Sequence, residues 1–108
     1  MTQTDLVTSI GNTLTKLDTA LMSSDLEALP AKWQQVYALR KHLDDEQREL
    51  VQVDIESDDV DFQTQSNLIA TATKQLNQQI GDMTKIDSII NIVAQIAASV
   101  DDVLKLTL

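Results

Sequence analysis

The sequence predicts an all-α fold, an antiparallel bundle of three to four helices in a single domain covering residues 1–108. Two glycines and one proline are too few for the many turns of a β-sandwich or β-barrel. Apolar residues recur at steps of three and four, which is the period of an α-helix. Phe, Tyr and Trp occur once each, so the core must be built from Leu, Ile, Val and Ala.

The first predicted helix covers residues 4–22, with the Thr4 hydroxyl capping its first turn. One narrow apolar stripe runs along it, formed by Leu6, Ile10, Leu14, Leu17 and Leu21. The segment "MSSDLEALP" ends this helix, and Ser23 or Ser24 can cap a new start.

The second predicted helix covers residues 30–52 and begins at Pro30, because proline is tolerated only in the first turn. Its broad apolar face consists of Trp33, Val36, Tyr37, Leu39, Leu43 and Leu50. The following "VQVDIE" alternates apolar and polar residues, which is a strand signal. A lone strand in a helical chain has no partner unless another subunit supplies one, so we favour a frayed helix end or a connector.

Two further helices are predicted over residues 58–80 and 84–106, the first capped by Ser57 with acids at the positive end of its dipole. A heptad repeat crosses both of them: Phe62, Ile69, Leu76, Met83, Ile90, Ala97 and Leu104. One interpretation is therefore a single long helix. The other is a break at "IGDMTK", with Gly81 ending one helix and Thr84 capping the next. We favour the break, because a small domain must cover its own core.

The last predicted helix carries an apolar face that covers an arc of roughly 160° at 100° per residue. We take this face as a candidate interaction or oligomer surface, formed by Ile86, Ile89, Ile90, Val93, Ile96, Ala97, Val100 and Leu104. A face this wide must touch more than one neighbouring helix. It predicts a homo-oligomer, with a dimer favoured.

The net charge of −9 and a pI near 4.2 repel phosphate backbones and anionic lipid, so neither nucleic acid nor membrane is expected as a partner. Without cysteine the chain can form no disulfide and no thiolate site. The start of the sequence lacks the basic and apolar regions of a signal peptide, and no uninterrupted apolar run reaches about 18 residues. These features predict a cytoplasmic location.

The acidic stretch "VDIESDDVDF" resembles a calcium loop only superficially. A loop of EF-hand type that began at Asp54 would need glycine at position six and glutamate at position twelve. Asp59 and Gln65 occupy those positions. The stretch is therefore interpreted as a solvated connector followed by a helix cap.

His42, the only histidine, could project ligands from consecutive helical turns together with Asp45, Glu46 and Glu49. Di-iron carboxylate bundles need a second histidine, and zinc usually takes more nitrogen or sulfur ligands. A phosphotransfer role is disfavoured because the acids that follow His42 would repel a phosphoryl donor. We therefore expect a structural surface histidine, with no metal site, no cofactor and no catalytic residue.

These observations favour a non-enzymatic protein–protein interaction module: an adaptor, regulator or inhibitor that binds a partner with a basic surface through a helix face. Trp33 and Tyr37 are candidate recognition anchors, although core packing explains them more simply. The alternative is a structural, self-assembling helical component of a phage or secretion particle. A carboxylate-metal enzyme is a weaker alternative.

Overall fold

The computed structural model describes residues 2–106 and confirms the all-α bundle. The helices are α1 (Gln3–Leu21), α2 (Ser24–Glu27), α3 (Pro30–Gln52), α4 (Val60–Gln79) and α5 (Ile86–Leu104), with a 3₁₀ turn at Met83–Lys85. No strand occurs in this part of the chain. Helix α3 has the predicted limits. The other long helices, α1, α4 and α5, start one or two residues away from the predicted positions 4, 58 and 84.

Helix α1 begins earlier than predicted, because Thr2 rather than Thr4 caps it. The Thr2 hydroxyl accepts a hydrogen bond from the Asp5 amide at 3.1 Å, and the Asp5 carboxylate accepts one from the Thr2 amide at 2.9 Å. This reciprocal capping box satisfies two amides that the helix itself cannot pair. A hydroxyl at Thr4 alone would satisfy fewer of these amides.

Helix α4 is capped by Asp59 and not by Ser57. Its carboxylate accepts from the amides of Asp61 at 2.8 Å and Phe62 at 3.1 Å, so one side chain pairs two free donors. The last helix is likewise preceded by an aspartate cap in place of Thr84. Asp82 accepts hydrogen bonds from both the amide and the hydroxyl of Thr84.

The predicted break near Gly81 is confirmed, and it does not depend on a glycine conformation. Gly81 lies between α4 and the 3₁₀ turn and has no positive φ angle. The alternative of one continuous helix is therefore excluded. The Asp82 cap provides the start signal for the segment that follows.

The segment between α3 and α4 is a connector and not a strand. Ile55 is only 8 % exposed and anchors it to the core, while Val51 on the last turn of α3 faces solvent. The Gln3 side-chain amide donates to the carbonyls of Leu50 at 2.8 Å and Val53 at 2.7 Å. These two bonds satisfy carbonyls at the end of α3 and tie the end to the start of α1.

Two antiparallel pairs, α1 with α3 and α4 with α5, build the bundle, and α3 also packs directly against α5. Helices α3 and α5 run parallel. Lys32 contacts Asp87 at 2.5 Å near the start of both helices, and His42 contacts Asp101 at 3.3 Å further along both. Consecutive helices α3 and α4 therefore lie diagonally opposite each other, joined by the connector across one end of the bundle.

The core is aliphatic except for Phe62, which is fully buried. The apolar stripe of α1 and the wide face of α5 supply much of it. Helix α5 lies against both α3 and α4, which explains why its apolar face is the widest in the chain. None of the helices within residues 2–106 has the combined length and apolar character needed to cross a membrane.

Candidate functional site

The apolar face of α5, predicted as an interaction surface, lies mostly inside the bundle. Six of its eight residues are buried by α3 and α4 of the same chain: Ile86, Ile89, Val93, Ile96, Ala97 and Val100. Ile90 and Leu104 are half-buried and pack against the core. Intramolecular contacts therefore account for the feature that motivated the prediction of an oligomer.

Trp33 and Tyr37 lie one turn apart on α3 and stack on each other. Their ring centroids are 5.3 Å apart and the ring planes differ by 8°. The indole Nε1 of Trp33 donates to the Leu21 carbonyl at 2.8 Å, and the ring packs against the core. Tyr37 is 46 % exposed. Trp33 is thus partly a core residue, and Tyr37 is the surface-exposed member of the pair.

The end of the bundle that carries Trp33 and Tyr37 combines apolar groups with acids that form no ion pair in the described residues. A groove beside Trp33 is lined by Glu27, Pro30 and Gln34. Asp25 and Asp82 lie on an adjoining groove between α2 and the turn before α5. Within residues 2–106, none of these three acids forms an ion pair. We call this region, defined by Asp25, Glu27, Trp33, Tyr37 and Asp82, the aromatic end.

A second cluster lies away from the aromatic end, where the later part of α3 packs against the later part of α5. His42 and Glu46 project from successive turns of α3, and Asp101 projects from α5. His42 Nε2 lies 3.5 Å from Glu46 Oε1 and 3.3 Å from Asp101 Oδ1. One ligand atom from each of the three residues lies within 4.8 Å of the others.

Glu46 is the unusual member of this cluster. It is only 3 % exposed, and neither carboxyl oxygen accepts a hydrogen bond from another group of the protein. Burial, reinforced by the nearby Asp101 and Glu49, raises the pKa of Glu46 from 4.5 to about 9. The pKa of Asp101 is lowered, chiefly by a hydrogen bond from the Glu46 carboxyl and also by His42. At neutral pH the Glu46 carboxyl therefore carries a proton that it can donate to Asp101.

Helical spacing groups His42 with Asp45, Glu46 and Glu49, of which only Glu46 lies in the cluster, and it does not indicate Asp101. Asp45 and Glu49 are exposed and lie outside the cluster. A signal for Glu46 was present, because it falls between Leu43 and Leu50 on the apolar stripe of α3. Asp101 gave no comparable signal, since only the packing of α5 on α3 brings it to His42.

The acidic stretch at residues 54–61 forms the solvated connector and helix start predicted from the sequence, and we call it the acidic corner. Its five carboxylates are exposed, and Asp59 serves as the cap of α4.

Among the residues that the structure describes, the His42–Glu46–Asp101 cluster is the group of three whose ligand atoms converge closely enough to hold a cation.

Comparisons with models of known protein families, with curated protein sequences and with solved structures find no significant match.

Proposed function

We propose that this protein is a non-enzymatic protein-interaction module whose aromatic end binds a partner segment that carries an apolar side chain flanked by Lys or Arg. The observation that carries the proposal is the exposed Tyr37 ring, stacked on Trp33, whose groove is lined by the carboxylate of Glu27. Trp and Tyr are enriched at the positions that supply most of the free energy of protein association.

The aromatic pair is held in place before a partner arrives. The hydrogen bond from Trp33 to the Leu21 carbonyl ties the indole to the end of α1, and the stacking contact restrains Tyr37. A rigid aromatic surface loses little conformational entropy on binding, so more of the contact free energy is available for association. The groove beside Trp33, lined by Glu27, Pro30 and Gln34, offers room for an apolar side chain.

The charge of this end favours a basic segment. Glu27 lies beside Trp33, and Asp25 lies on the neighbouring groove between α2 and the turn before α5. Neither acid forms an ion pair in the described chain, whereas the nearby Lys32 is paired with Asp87. The net charge of −9 adds a long-range attraction for a basic partner. Such an association weakens with salt, because the Debye length is only about 10 Å at 0.1 M ionic strength.

The fluorescence of Trp33, the single tryptophan, reports binding at this end directly. We expect a synthetic peptide of alternating lysine and leucine to change its emission at low salt. A peptide with glutamate in place of lysine should leave the emission unchanged. Glu27→Gln and Tyr37→Ala should each weaken the binding of the lysine peptide.

Matched variants at the opposite end separate this proposal from general attraction between opposite charges. Glu56→Gln removes an exposed acid and Val60→Ala trims an exposed apolar side chain, both near the acidic corner. We expect both variants to bind as the parent does. Equal losses in Glu27→Gln and Glu56→Gln, or no binding of the lysine peptide, would overturn the proposal.

Self-association remains a prediction of its own. The wide face of α5 no longer motivates it, because most of that face is buried within one chain. Light scattering across micromolar concentrations tests the prediction: a closed dimer would support the oligomer, and large or filamentous species would support the alternative of a self-assembling structural component.

A further inference from the structure

We propose that His42, Glu46 and Asp101 form a binding site for one divalent transition-metal ion of the Zn²⁺ type. The three side chains offer an imidazole nitrogen and two carboxyl groups from two packed helices. This site is separate from the aromatic end and does not depend on the function proposed there.

The spacing of the three ligands suits such an ion. With bonds of about 2.0–2.2 Å, neighbouring ligands of a tetrahedral zinc ion lie about 3.3–3.6 Å apart. The distances from His42 Nε2 to Glu46 Oε1 and Asp101 Oδ1 are 3.5 Å and 3.3 Å. The remaining separation is within 4.8 Å, so a rotation of one carboxyl group would complete the triangle.

Glu46 supplies an independent reason to expect a cation. A group of exposed acids would be ordinary on a chain this acidic, but Glu46 is 3 % exposed and points into the cluster, and neither of its oxygens accepts a hydrogen bond. Buried polar groups normally have hydrogen-bond partners, and an exception calls for an explanation such as a bound ion. A metal ion between Glu46, His42 and Asp101 would displace the proton of the Glu46 carboxyl and bind its oxygen directly.

The chemistry of the ligands selects the class of ion. Magnesium and calcium favour sites made entirely of oxygen, and soft ions such as Cu(I) favour sulfur. One imidazole nitrogen is fewer than most zinc sites have, but it favours Zn²⁺ and its first-row neighbours over ions that take only oxygen. The His42 and Asp101 side chains are 52 % and 47 % exposed, so the outer side of the site is open to water. Three protein ligands with a water in the fourth position make an exchangeable site.

The test uses the full chain and ZnCl₂ as the probe. Isothermal titration calorimetry measures stoichiometry and affinity, and the ring nitrogens of His42, the sole histidine, report ligation by NMR. We expect one Zn²⁺ per chain, a shift of the His42 ring signals, and weaker responses to Mg²⁺ and Ca²⁺. Glu46→Gln and Asp101→Asn should each weaken Zn²⁺ binding by roughly tenfold or more.

Two neighbouring acids serve as matched controls. Asp45→Asn and Asp102→Asn remove exposed carboxylates next to the cluster, and both should bind Zn²⁺ as the parent does. His42→Ala should also lose Zn²⁺ binding. Because the His42 side chain is exposed, this loss cannot be attributed to a disturbed core, as it could be for the buried Glu46. Far-ultraviolet circular dichroism confirms that each variant is helical.

Several outcomes would overturn the proposal. One is the absence of stoichiometric Zn²⁺ binding by the parent chain at 100-fold higher metal than protein. Another is binding by Glu46→Gln or Asp101→Asn at the affinity of the parent. A third is the loss of Zn²⁺ binding in a variant that keeps the cluster but has the carboxylates of the acidic corner neutralised. That result would assign the ion to residues 54–61.

Discussion

Nε2 of His42 lies 3.3 Å from Oδ1 of Asp101, although the two residues are 59 positions apart in the chain. The contact exists because α3 and α5 pack side by side and run in the same direction. It closes the polar cluster over the buried Glu46 carboxyl. The parallel packing of α3 and α5 therefore sets the environment of the buried Glu46 carboxyl.

Stability of the metal-free chain should fall as pH rises from about 4.5 towards 9. The pKa of Glu46 is about 9 in the folded chain and 4.5 ordinarily, so between these values the folded state binds a proton that the unfolded state has lost. The free energy of unfolding decreases with pH wherever the folded state holds more protons. Urea unfolding at intervals from about pH 5 to about pH 9, with a chelator present, measures this decline.

Glu46→Gln should flatten that decline, because its amide does not titrate. Asp45→Asn, which removes an exposed acid one position away, should keep the slope of the parent. The lowered pKa of Asp101 acts in another range, since its stabilisation is lost only as pH falls below 3.8. A Glu46→Gln variant with the pH dependence of the parent would contradict the assignment.

Trp33→Phe should destabilise the chain by about 1 kcal/mol, because the Leu21 carbonyl loses the donor that now lies 2.8 Å away. Tyr37→Phe provides the control, as the Tyr37 side chain is exposed and its hydroxyl forms no hydrogen bond within residues 2–106. That change should alter stability by less than about 0.5 kcal/mol. Chemical denaturation followed by circular dichroism compares the two, and equal effects would speak against a structural role for the indole donor.

Gly81→Ala should stabilise the chain by about 0.4–1 kcal/mol, since alanine restricts the unfolded state and the site tolerates a side chain. Gly81 has no positive φ, and a Cβ built there meets no atom within 4 Å. The break between α4 and α5 should persist, as Asp82 caps the following segment. Backbone chemical shifts by NMR test this, and a continuous helix through residue 81 would refute it.

Gly11→Ala makes an informative comparison. A Cβ at Gly11 would lie 3.0 Å from Nε2 of Gln47, which donates a hydrogen bond to the Val7 carbonyl. The gain in helix propensity is therefore offset by a displaced side chain. We expect a smaller increase in the free energy of unfolding than at Gly81.

Ile55→Ala should destabilise the chain by about 2 kcal/mol or more, because it removes the buried anchor of the connector. Val51→Ala, at a position 64 % exposed, should change the free energy of unfolding by less than about 0.5 kcal/mol. Thermal and urea unfolding of both variants measure the difference. Similar small effects at the two positions would show that the connector contributes little to the core.

The helical class and most of the helix positions could be predicted from local features of the sequence. The apolar period of Leu6, Ile10, Leu14 and Leu17, the scarcity of glycine, and Pro30 at a helix start are local features, so they could be interpreted without knowing the tertiary fold. Cap residues were less predictable. The observed caps are Thr2, Asp59 and Asp82 and not the expected residues. In each case a side-chain oxygen accepts a hydrogen bond from a free amide at the start of the following helix, and such contacts depend on the local backbone conformation.

The arrangement of the helices, and with it the composition of the polar cluster, could not be predicted from local patterns. Periodicity shows that α5 has a wide apolar face, but it cannot say whether α3, α4 or a second chain covers that face. Packing α5 in parallel against α3 buries Ile89 and Val100, brings Asp101 to His42, and leaves Glu46 buried without a donor. These outcomes depend on contacts between residues distant in the chain, and such contacts leave no periodic trace in a single sequence.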